Sequence, residues 1–320
     1  MQRRQLLAST AALVAMPWAA RAAAAVVDES WRDAARDRAL PMRLRWPAGD
    51  GPCAAVVFSH GLGGSIEGGD AWGRAWCDAG VAMLHVQHPG SDSETLRAGM
   101  LALRRAASAE QLVARVADMH FVLDEIERRV QAGLAGWRRV RTDAMGAAGH
   151  SFGAQTVQAL AGKRYGRSAP GLVEPRFKAF IAFSPSLGRG ERMSPAEQFG
   201  AVTRPFLCVT GSLDGDPLGG ATSGEDRARV YEGLPSGRRA LLWLDHADHM
   251  TFGGNAERRI DGRGAFRRTP EVAANEAAQH ALVATITTDW WRARLLGDAA
   301  AMAALRAPAG LGATDRWRMD

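Results

Sequence analysis

The apolar residues of this chain fall into two patterns. The first is a short unbroken apolar run such as Cys53–Ser59, which Gly51-Pro52 precedes and His60-Gly61 follows. Runs of this kind are typical of strands that are buried on both faces of a sheet. In the second pattern apolar side chains recur at steps of three and four, as in residues 107–129, and this spacing predicts a helix with one apolar face.

The same two patterns predict most of the remaining fold. Further strands are predicted at residues 80–87, 143–149, 177–183, 204–210 and 240–244. Further helices are predicted at residues 154–160 and 273–296. Because strands alternate with helices, the sequence predicts an α/β fold with a mostly parallel central sheet and helices on both faces.

The composition is that of a globular protein. The chain has 320 residues, of which 47% are hydrophobic and 23% are charged, and this excludes a disordered protein, a collagen-like fibre and a coiled coil. No stretch rich in Pro, Gly or Ser divides the chain, so we expect residues 23–320 to form a single domain. Segments 184–202 and 253–269 are expected to be excursions from its core.

The first 22 residues have the order of an export signal. Arg3 and Arg4 precede an apolar stretch at 6–20, and Ala20-Arg21-Ala22 offers a small-x-small cleavage site. The stretch is too short for a membrane-spanning helix, which needs roughly 20 apolar residues. Paired arginines favour the twin-arginine route, with the general secretory route as the alternative. A periplasmic or secreted protein without a stable membrane anchor is predicted.

The basic residues do not form a nucleic-acid footprint. The net charge is +6, from 40 basic and 34 acidic residues. The arginines are scattered in pairs such as Arg104-Arg105, Arg128-Arg129 and Arg258-Arg259, whereas a nucleic-acid binder concentrates its charge on one element. We therefore expect no nucleic-acid partner.

The cysteines do not form a disulfide framework. The sequence has three cysteines, Cys53, Cys77 and Cys208, so at most one disulfide bridge can form within the chain. Burial as small apolar side chains is the expected role of all three.

The clearest chemical signal is Gly149-His150-Ser151-Phe152-Gly153. It matches G-x-S-x-G, the nucleophile elbow, in which a serine sits on a tight turn between a strand and a helix. The predicted strand at 143–149 and the predicted helix at 154–160 provide that context. Ser151 is therefore the candidate nucleophile; the alternative is a glycine-rich turn with a purely structural use.

A second glycine-rich loop, Phe58-Ser59-His60-Gly61-Leu62-Gly63-Gly64, follows another predicted strand. Its glycines free the backbone to present an N–H to a reacting carbonyl oxygen. We predict that the backbone amides of Leu62 and Phe152 form an oxyanion hole. A phosphate-binding loop is the weaker alternative, because the sequence matches neither nucleotide-loop pattern.

The candidate acid and base follow later strands. Asp214 comes after the strand at 204–210 and is preferred as the orienting acid, with Asp216 as the alternative. His249 is preferred over His246 as the general base. A metal pair made by the two histidines is the other interpretation, but no third or fourth ligand is obvious.

The chain order Ser151, Asp214, His249 and its motifs resemble the α/β-hydrolase superfamily. Within it the chain is most similar to bacterial predicted dienelactone hydrolases and platelet-activating-factor acetylhydrolase-like serine esterases. The resemblance spans roughly residues 45 to 295. Besides the motifs above, it is carried by Val57, His88-Pro89-Gly90-Ser91-Asp92, residues 118–123, Gly211-x-x-Asp214 and His249-Met250-Thr251-Phe252.

The resemblance implies ester hydrolysis through an acyl-serine, with no metal or organic cofactor. It departs from the family in two places. Serine stands where true dienelactone hydrolases use cysteine, and Ser184-Pro185-Ser186 lacks the aspartate that the animal acetylhydrolases carry nearby. The sequence therefore predicts a serine carboxylesterase for short or medium acyl esters, with a small-molecule ester as its partner. There are two alternatives: a peptidase or amidase that uses the same triad, and a non-catalytic binding protein of the same fold.

Overall fold

One nine-stranded sheet organises the part of the chain that the computed structural model describes, which is residues 24–166, 172–188, 192–255 and 268–320. The strands are β1 (Ala25–Asp33), β2 (Arg38–Trp46), β3 (Cys53–Ser59), β4 (Val81–Val86), β5 (Val140–His150), β6 (Phe177–Phe183), β7 (Phe206–Leu213), β8 (Arg239–Asp248) and β9 (Arg316–Met319). The predicted export segment, residues 1–22, lies outside the described residues, so export stays a prediction.

The sheet is mostly parallel. Its strand order is β1-β2-β4-β3-β5-β6-β7-β8-β9. The six strands from β4 to β8 in this order pair in parallel, whereas β1, β2 and β9 pair antiparallel at the two edges. Because the carboxyl ends of parallel strands meet at one edge, the loops after β3, β5, β7 and β8 come together there. This edge carries the candidate site.

Helices follow the strands along the chain. They are α1 (Asp70–Asp78), α2 (Ser93–Arg97), α3 (Met100–Ala106), α4 (Ala109–Gln131), α5 (Phe152–Ala161), α6 (Pro195–Phe199), α7 (Gly224–Gly233), α8 (Pro270–Leu295) and α9 (Ala299–Arg306). In the described residues no helix is both long and apolar enough to cross a membrane.

An apolar layer covers each face of the sheet. Along β3, Val57 belongs to a core cluster that includes Met119 of α4, whereas Val56 belongs to a second cluster that includes Trp291 of α8. Every residue of β3 is buried. The unbroken apolar runs are therefore strands with side chains buried on both faces, and the predicted α/β class with a mostly parallel sheet is confirmed.

The predicted elements match observed ones with shifted ends. Strands β3 and β6 have the predicted bounds, while β7 and β8 continue three and four residues past their predicted ends at 210 and 244. The elements that were not predicted are β1, β2, β9, α1, α2, α3, α6, α7 and α9. Segment 184–202 contains α6, and most of segment 253–269 lies outside the described residues.

The three cysteines are free and buried. Cys53 lies in β3, Cys77 in α1 and Cys208 in β7, and each is at most 6% exposed. They serve as small core residues, as the sequence predicts.

Candidate active site

The turn between β5 and α5 holds Ser151 in a backbone conformation that side chains rarely adopt. Its φ is 57° and its ψ is −113°. The flanking glycines are required by close approach of the backbone. A β-carbon on Gly149 would lie 2.4 Å from the carbonyl oxygen of Gly153, and one on Gly153 would lie 1.9 Å from the carbonyl oxygen of Ser59. Strain of this kind persists only where the surroundings hold it, and it concentrates at functional sites.

Ser151, His249 and Asp214 form a hydrogen-bonded chain. The Ser151 hydroxyl lies 2.9 Å from Nε2 of His249, and Nδ1 of His249 lies 2.7 Å from Oδ1 of Asp214. With Nδ1–H donating to the carboxylate, Nε2 is left to accept the serine proton. The structure thus brings together the three side chains that the sequence singled out, in the geometry of a nucleophile, a base and an orienting acid.

Asp214 is fully buried and ionised. Its second oxygen accepts a hydrogen bond of 2.8 Å from the Thr210 hydroxyl, and the Arg227 guanidinium lies 3.0 Å from Oδ1. Burial alone would raise the pKa of Asp214, but the charge of Arg227 and the hydrogen bonds from His249 and Thr210 outweigh it. The pKa therefore lies below its usual value.

Arg227 of α7 joins two loops beneath the site, and sequence reasoning missed it. Its Nε donates to the Asp214 carbonyl oxygen at 2.8 Å, and its other nitrogens donate to carbonyl oxygens of Ser184, Pro185 and Gly215. Only 5% of the residue is exposed. In the sequence Arg227 is one charge among several on a polar helix, so no local signal distinguishes it.

The side chain of His150, the residue before the nucleophile, binds the main chain of the candidate base His249. Its Nε2–H donates to the carbonyl oxygen of His249 at 2.9 Å, and the two imidazole rings are 4.7 Å apart between centroids. Burial, followed by the neighbouring His249, lowers the pKa of His150 to about 3, so this imidazole is neutral. In the sequence His150 occupies the variable position of the elbow motif, and nothing in that motif indicates this hydrogen bond.

The turn after β8 fixes where His249 points. The Asp248 carboxylate accepts hydrogen bonds of 2.8 Å from the amide and the hydroxyl of Thr251, and Arg268 pairs with the same carboxylate. His280 of α8 contacts the Thr251 carbonyl oxygen at 2.9 Å. Both ends of the turn are therefore tied down.

The alternatives for acid and base have other surroundings. His246 has φ 54° and its side chain is 56% exposed, and its only ion-pair partner among the described residues is Asp245, at 3.6 Å. Asp216 lines the cavity, and its carboxylate accepts a hydrogen bond from the Leu218 amide. Asp214, and not Asp216, holds Nδ1 of His249.

The two predicted oxyanion amides lie beside the serine. Phe152 directly follows Ser151 and is the first residue of α5. Gly61, the residue before Leu62, lies so close to Ser151 that a β-carbon on Gly61 would be 3.4 Å from the β-carbon of Ser151. Within the part of the chain that the structure describes, the amides of Leu62 and Phe152 donate to no acceptor. Both are available to a ligand oxygen, and the N-terminus of α5 favours negative charge at the Phe152 amide.

A cavity of about 330 Å³ opens onto Ser151 and His249. Its apolar lining includes the side chains of Leu62, Leu96, Met100, Leu103 and Phe152. The polar residues Gln155 and Ser186 also line it. The described residues include no group of three or more His, Cys, Asp or Glu side chains that could hold a metal ion.

No protein-family model matches this chain, and a search of the curated proteins finds no match either. The functional assignment therefore depends on the residues and their geometry. The superfamily resemblance stays a prediction.

Three buried histidines other than the candidate base make stability depend on pH. Burial lowers the pKa of His85 and of His88 to about 4, and that of His150 to about 3. An unfolded histidine titrates near pH 6.5. Between about pH 6.5 and 4 the unfolded chain therefore binds more protons, and the free energy of unfolding falls as the pH falls, by at most about 1.4 kcal/mol per pH unit for each histidine.

We expect the melting temperature to drop steadily between pH 7 and pH 5, as measured by thermal unfolding in buffers of equal ionic strength. A melting temperature that is constant over this interval would contradict the buried, neutral state of these rings.

Proposed function

We propose that this protein is a serine carboxylesterase of the α/β-hydrolase superfamily. The observation that carries the proposal is the hydrogen-bonded chain Ser151–His249–Asp214 at the mouth of a cavity. The amides of Leu62 and Phe152, which donate to no acceptor among the described residues, lie beside it. A strained serine between two sterically required glycines supports a catalytic use over a binding use, because a binding site has no need of that conformation.

The geometry supports an acyl-serine mechanism. Ser151 attacks the ester carbonyl while His249 accepts its proton through Nε2, and the amides of Leu62 and Phe152 donate to the oxyanion. His249 then protonates the leaving alcohol. Water, activated by the same imidazole, attacks the acyl-enzyme and releases the acid. Asp214 keeps the proton on Nδ1 and stabilises the imidazolium that forms in both steps.

The cavity supports short or medium acyl chains as substrates. Its volume of about 330 Å³ is at the lower end of the range of roughly 300–1,000 Å³ for ligand pockets. The apolar lining that includes Leu62, Leu96, Met100, Leu103 and Phe152 is suited to a hydrocarbon chain next to the reacting carbonyl. A small-molecule ester of this class is the proposed substrate.

Labelling with a fluorophosphonate probe tests the catalytic proposal. We expect the purified protein to be labelled on Ser151, and Ser151→Ala to be folded and unlabelled. A series of p-nitrophenyl esters from acetate to palmitate should then show the highest kcat/KM for short or medium chains.

Three results would contradict the proposal in different ways. An unlabelled wild-type protein favours a binding protein. Hydrolysis of anilides as fast as the matching esters favours an amidase. A rate that rises through palmitate would contradict the assigned chain length alone.

A further inference from the structure

A second hydrogen-bonded Ser–His–Asp set lies under the site. The Ser59 hydroxyl is 3.0 Å from Nε2 of His88, and Nδ1 of His88 is 2.9 Å from Oδ2 of Asp118. All three residues are fully buried, and none lines the cavity. Without access to substrate, this set has no use as a second nucleophile.

The protonation states of this set follow from its surroundings: His88 is neutral and Asp118 is ionised. Burial lowers the pKa of His88 to about 4, so the ring is neutral with its proton on Nδ1, and Nε2 accepts from the Ser59 hydroxyl. Arg36 and Arg38 hold the Asp118 carboxylate. Burial alone would raise the pKa of Asp118, but its hydrogen bonds and neighbouring charges bring it to about 2. The Ser59 hydroxyl donates its proton to Nε2 of His88, so the lone pairs of its oxygen can accept a hydrogen bond from another donor.

That donor is Arg115 of α4. Its Nη2 lies 3.0 Å from the Ser59 oxygen and also donates to the His60 carbonyl oxygen, while Nη1 lies 3.2 Å from the Ser91 hydroxyl. Arg115 is fully buried, and its Nε has no hydrogen-bond partner in the described residues.

The charge of Arg115 is buried among neutral hydrogen-bond partners. Burial lowers the pKa of Arg115 to about 9, which leaves the guanidinium charged at neutral pH. Among the residues that the structure describes, no carboxylate forms an ion pair with it, and the oxygens it binds are all neutral. The negative charges that act on it, those of Asp118 and Asp92, do so without direct contact. A buried charge in this state is costly to stability, so a use elsewhere in the molecule is the natural reason for it.

Arg115 contacts both halves of the candidate oxyanion hole. Its guanidinium carbon lies 4.7 Å from the centre of the Phe152 ring. On the other side it holds the carbonyl of the 60–61 peptide group, next to the 61–62 peptide group that carries the Leu62 amide.

The 61–62 peptide group is held from its other end. Its carbonyl oxygen, on Gly61, lies 2.6 Å from Nδ1 of His60, and Nε2 of His60 accepts from the His88 amide at 3.0 Å. In a trans peptide the N–H points opposite to the C=O. Fixing the Gly61 carbonyl therefore fixes the direction of the Leu62 amide.

We propose that Arg115 is a positioning residue of the oxyanion hole, oriented by the Ser59–His88–Asp118 set. Through the His60 carbonyl and the Phe152 ring it aligns the two donor amides, and its charge stabilises the oxyanion of the tetrahedral intermediate. This inference rests on the proposed esterase function. The negative charge that Arg115 and the two amides stabilise is present only in the tetrahedral intermediate and its transition states, so the effect of Arg115 is expected in kcat.

Arg115→Met and Arg115→Lys test the role, with Arg45→Met as the matched control. Arg45 is also a buried arginine, at 8% exposure, but it pairs with Asp70, and neither residue lines the cavity. We expect Arg115→Met to lower kcat by about 10-fold to 100-fold, less than the roughly 100-fold to 1,000-fold for a lost direct donor. KM should change by no more than about twofold. Arg115→Lys should recover part of kcat.

An oxyanion analogue separates positioning from a general loss of structure. A trifluoromethyl ketone that adds to Ser151 should bind Arg115→Met more weakly by the same factor as kcat/KM falls, whereas the matching methyl ketone should bind unchanged. Arg45→Met should lower the melting temperature and leave kcat and both inhibition constants as in the wild type.

The inference fails if folded Arg115→Met keeps the wild-type kcat, or if Arg45→Met loses as much kcat. If Arg115→Met does not fold, Arg115→Lys and Ser59→Ala decide, because each weakens the same hydrogen bonds; wild-type kcat in both overturns the inference. A wild-type protein that neither hydrolyses esters nor reacts with a fluorophosphonate overturns the proposed function itself. Turnover by the wild type with no effect at Arg115 overturns only the inference.

Discussion

Asp214→Asn is expected to lower ester turnover by about four orders of magnitude while the protein stays folded. An amide at this position no longer selects the tautomer with the proton on Nδ1, so Nε2 of His249 loses its readiness to accept the Ser151 proton. The measurement is kcat for the best short-chain ester, with the melting temperature as the check on folding. Ser151→Ala and His249→Ala define the residual rate for comparison.

Asp216→Asn is the matched control for this result. Both aspartates follow β7. Asp216 lines the cavity and accepts a hydrogen bond from the Leu218 amide, and it makes no hydrogen bond with the imidazole of His249. Most of the turnover should remain in this variant. If Asp216→Asn is inactive and Asp214→Asn is active, the acid is wrongly assigned; if both are active, the His249–Asp214 hydrogen bond has no catalytic use.

Gly153→Ala is expected to abolish turnover and to destabilise the fold by roughly 3 kcal/mol, the upper part of the range for overpacking. The added β-carbon would lie 1.9 Å from the carbonyl oxygen of Ser59 and 2.8 Å from that of His60. Both atoms are main chain, so no side-chain rotation relieves the overlap. Either α5 or the end of β3 must move. The Phe152 amide is at the start of α5, and the Leu62 amide is in the loop that follows β3.

Gly51→Ala provides the control for glycine replacement. A β-carbon on Gly51 has no atom within 4 Å. This variant should keep the wild-type melting temperature and kcat. Thermal unfolding and fluorophosphonate labelling of both variants give the comparison, and a fully active, stable Gly153→Ala would show that α5 begins farther from β3 than described.

The sequence predicted the central strands because their apolar runs are continuous, and a continuous run records burial on both faces. The strand β2 was missed although Leu40, Met42 and Leu44 alternate with other residues, because Pro41 interrupts the pattern. β1 was missed because it is polar and largely exposed, and pairing with β2 is what makes it a strand.

The candidate triad was predictable because each member stands next to a recognisable local pattern at a strand end. Arg227 and Arg115 were not, since each reaches the site from a helix distant in sequence and its importance lies in which carbonyls it meets. His150 was quoted in a motif, but its hydrogen bond to the main chain of His249 depends on the approach of two loops 99 residues apart.

The residues that hold the nucleophile are distinct from those that shape the apolar part of the cavity, and this separation bears on the evolution of the protein. Ser151 is held in place by main-chain approach at Gly149 and Gly153, while much of the apolar lining of the cavity comes from Leu96 and Met100 of α2 and α3. Substitutions in those two helices alter which molecules fit without disturbing the nucleophile. Selection is therefore able to change the preferred substrate step by step, with a working catalyst retained at every step.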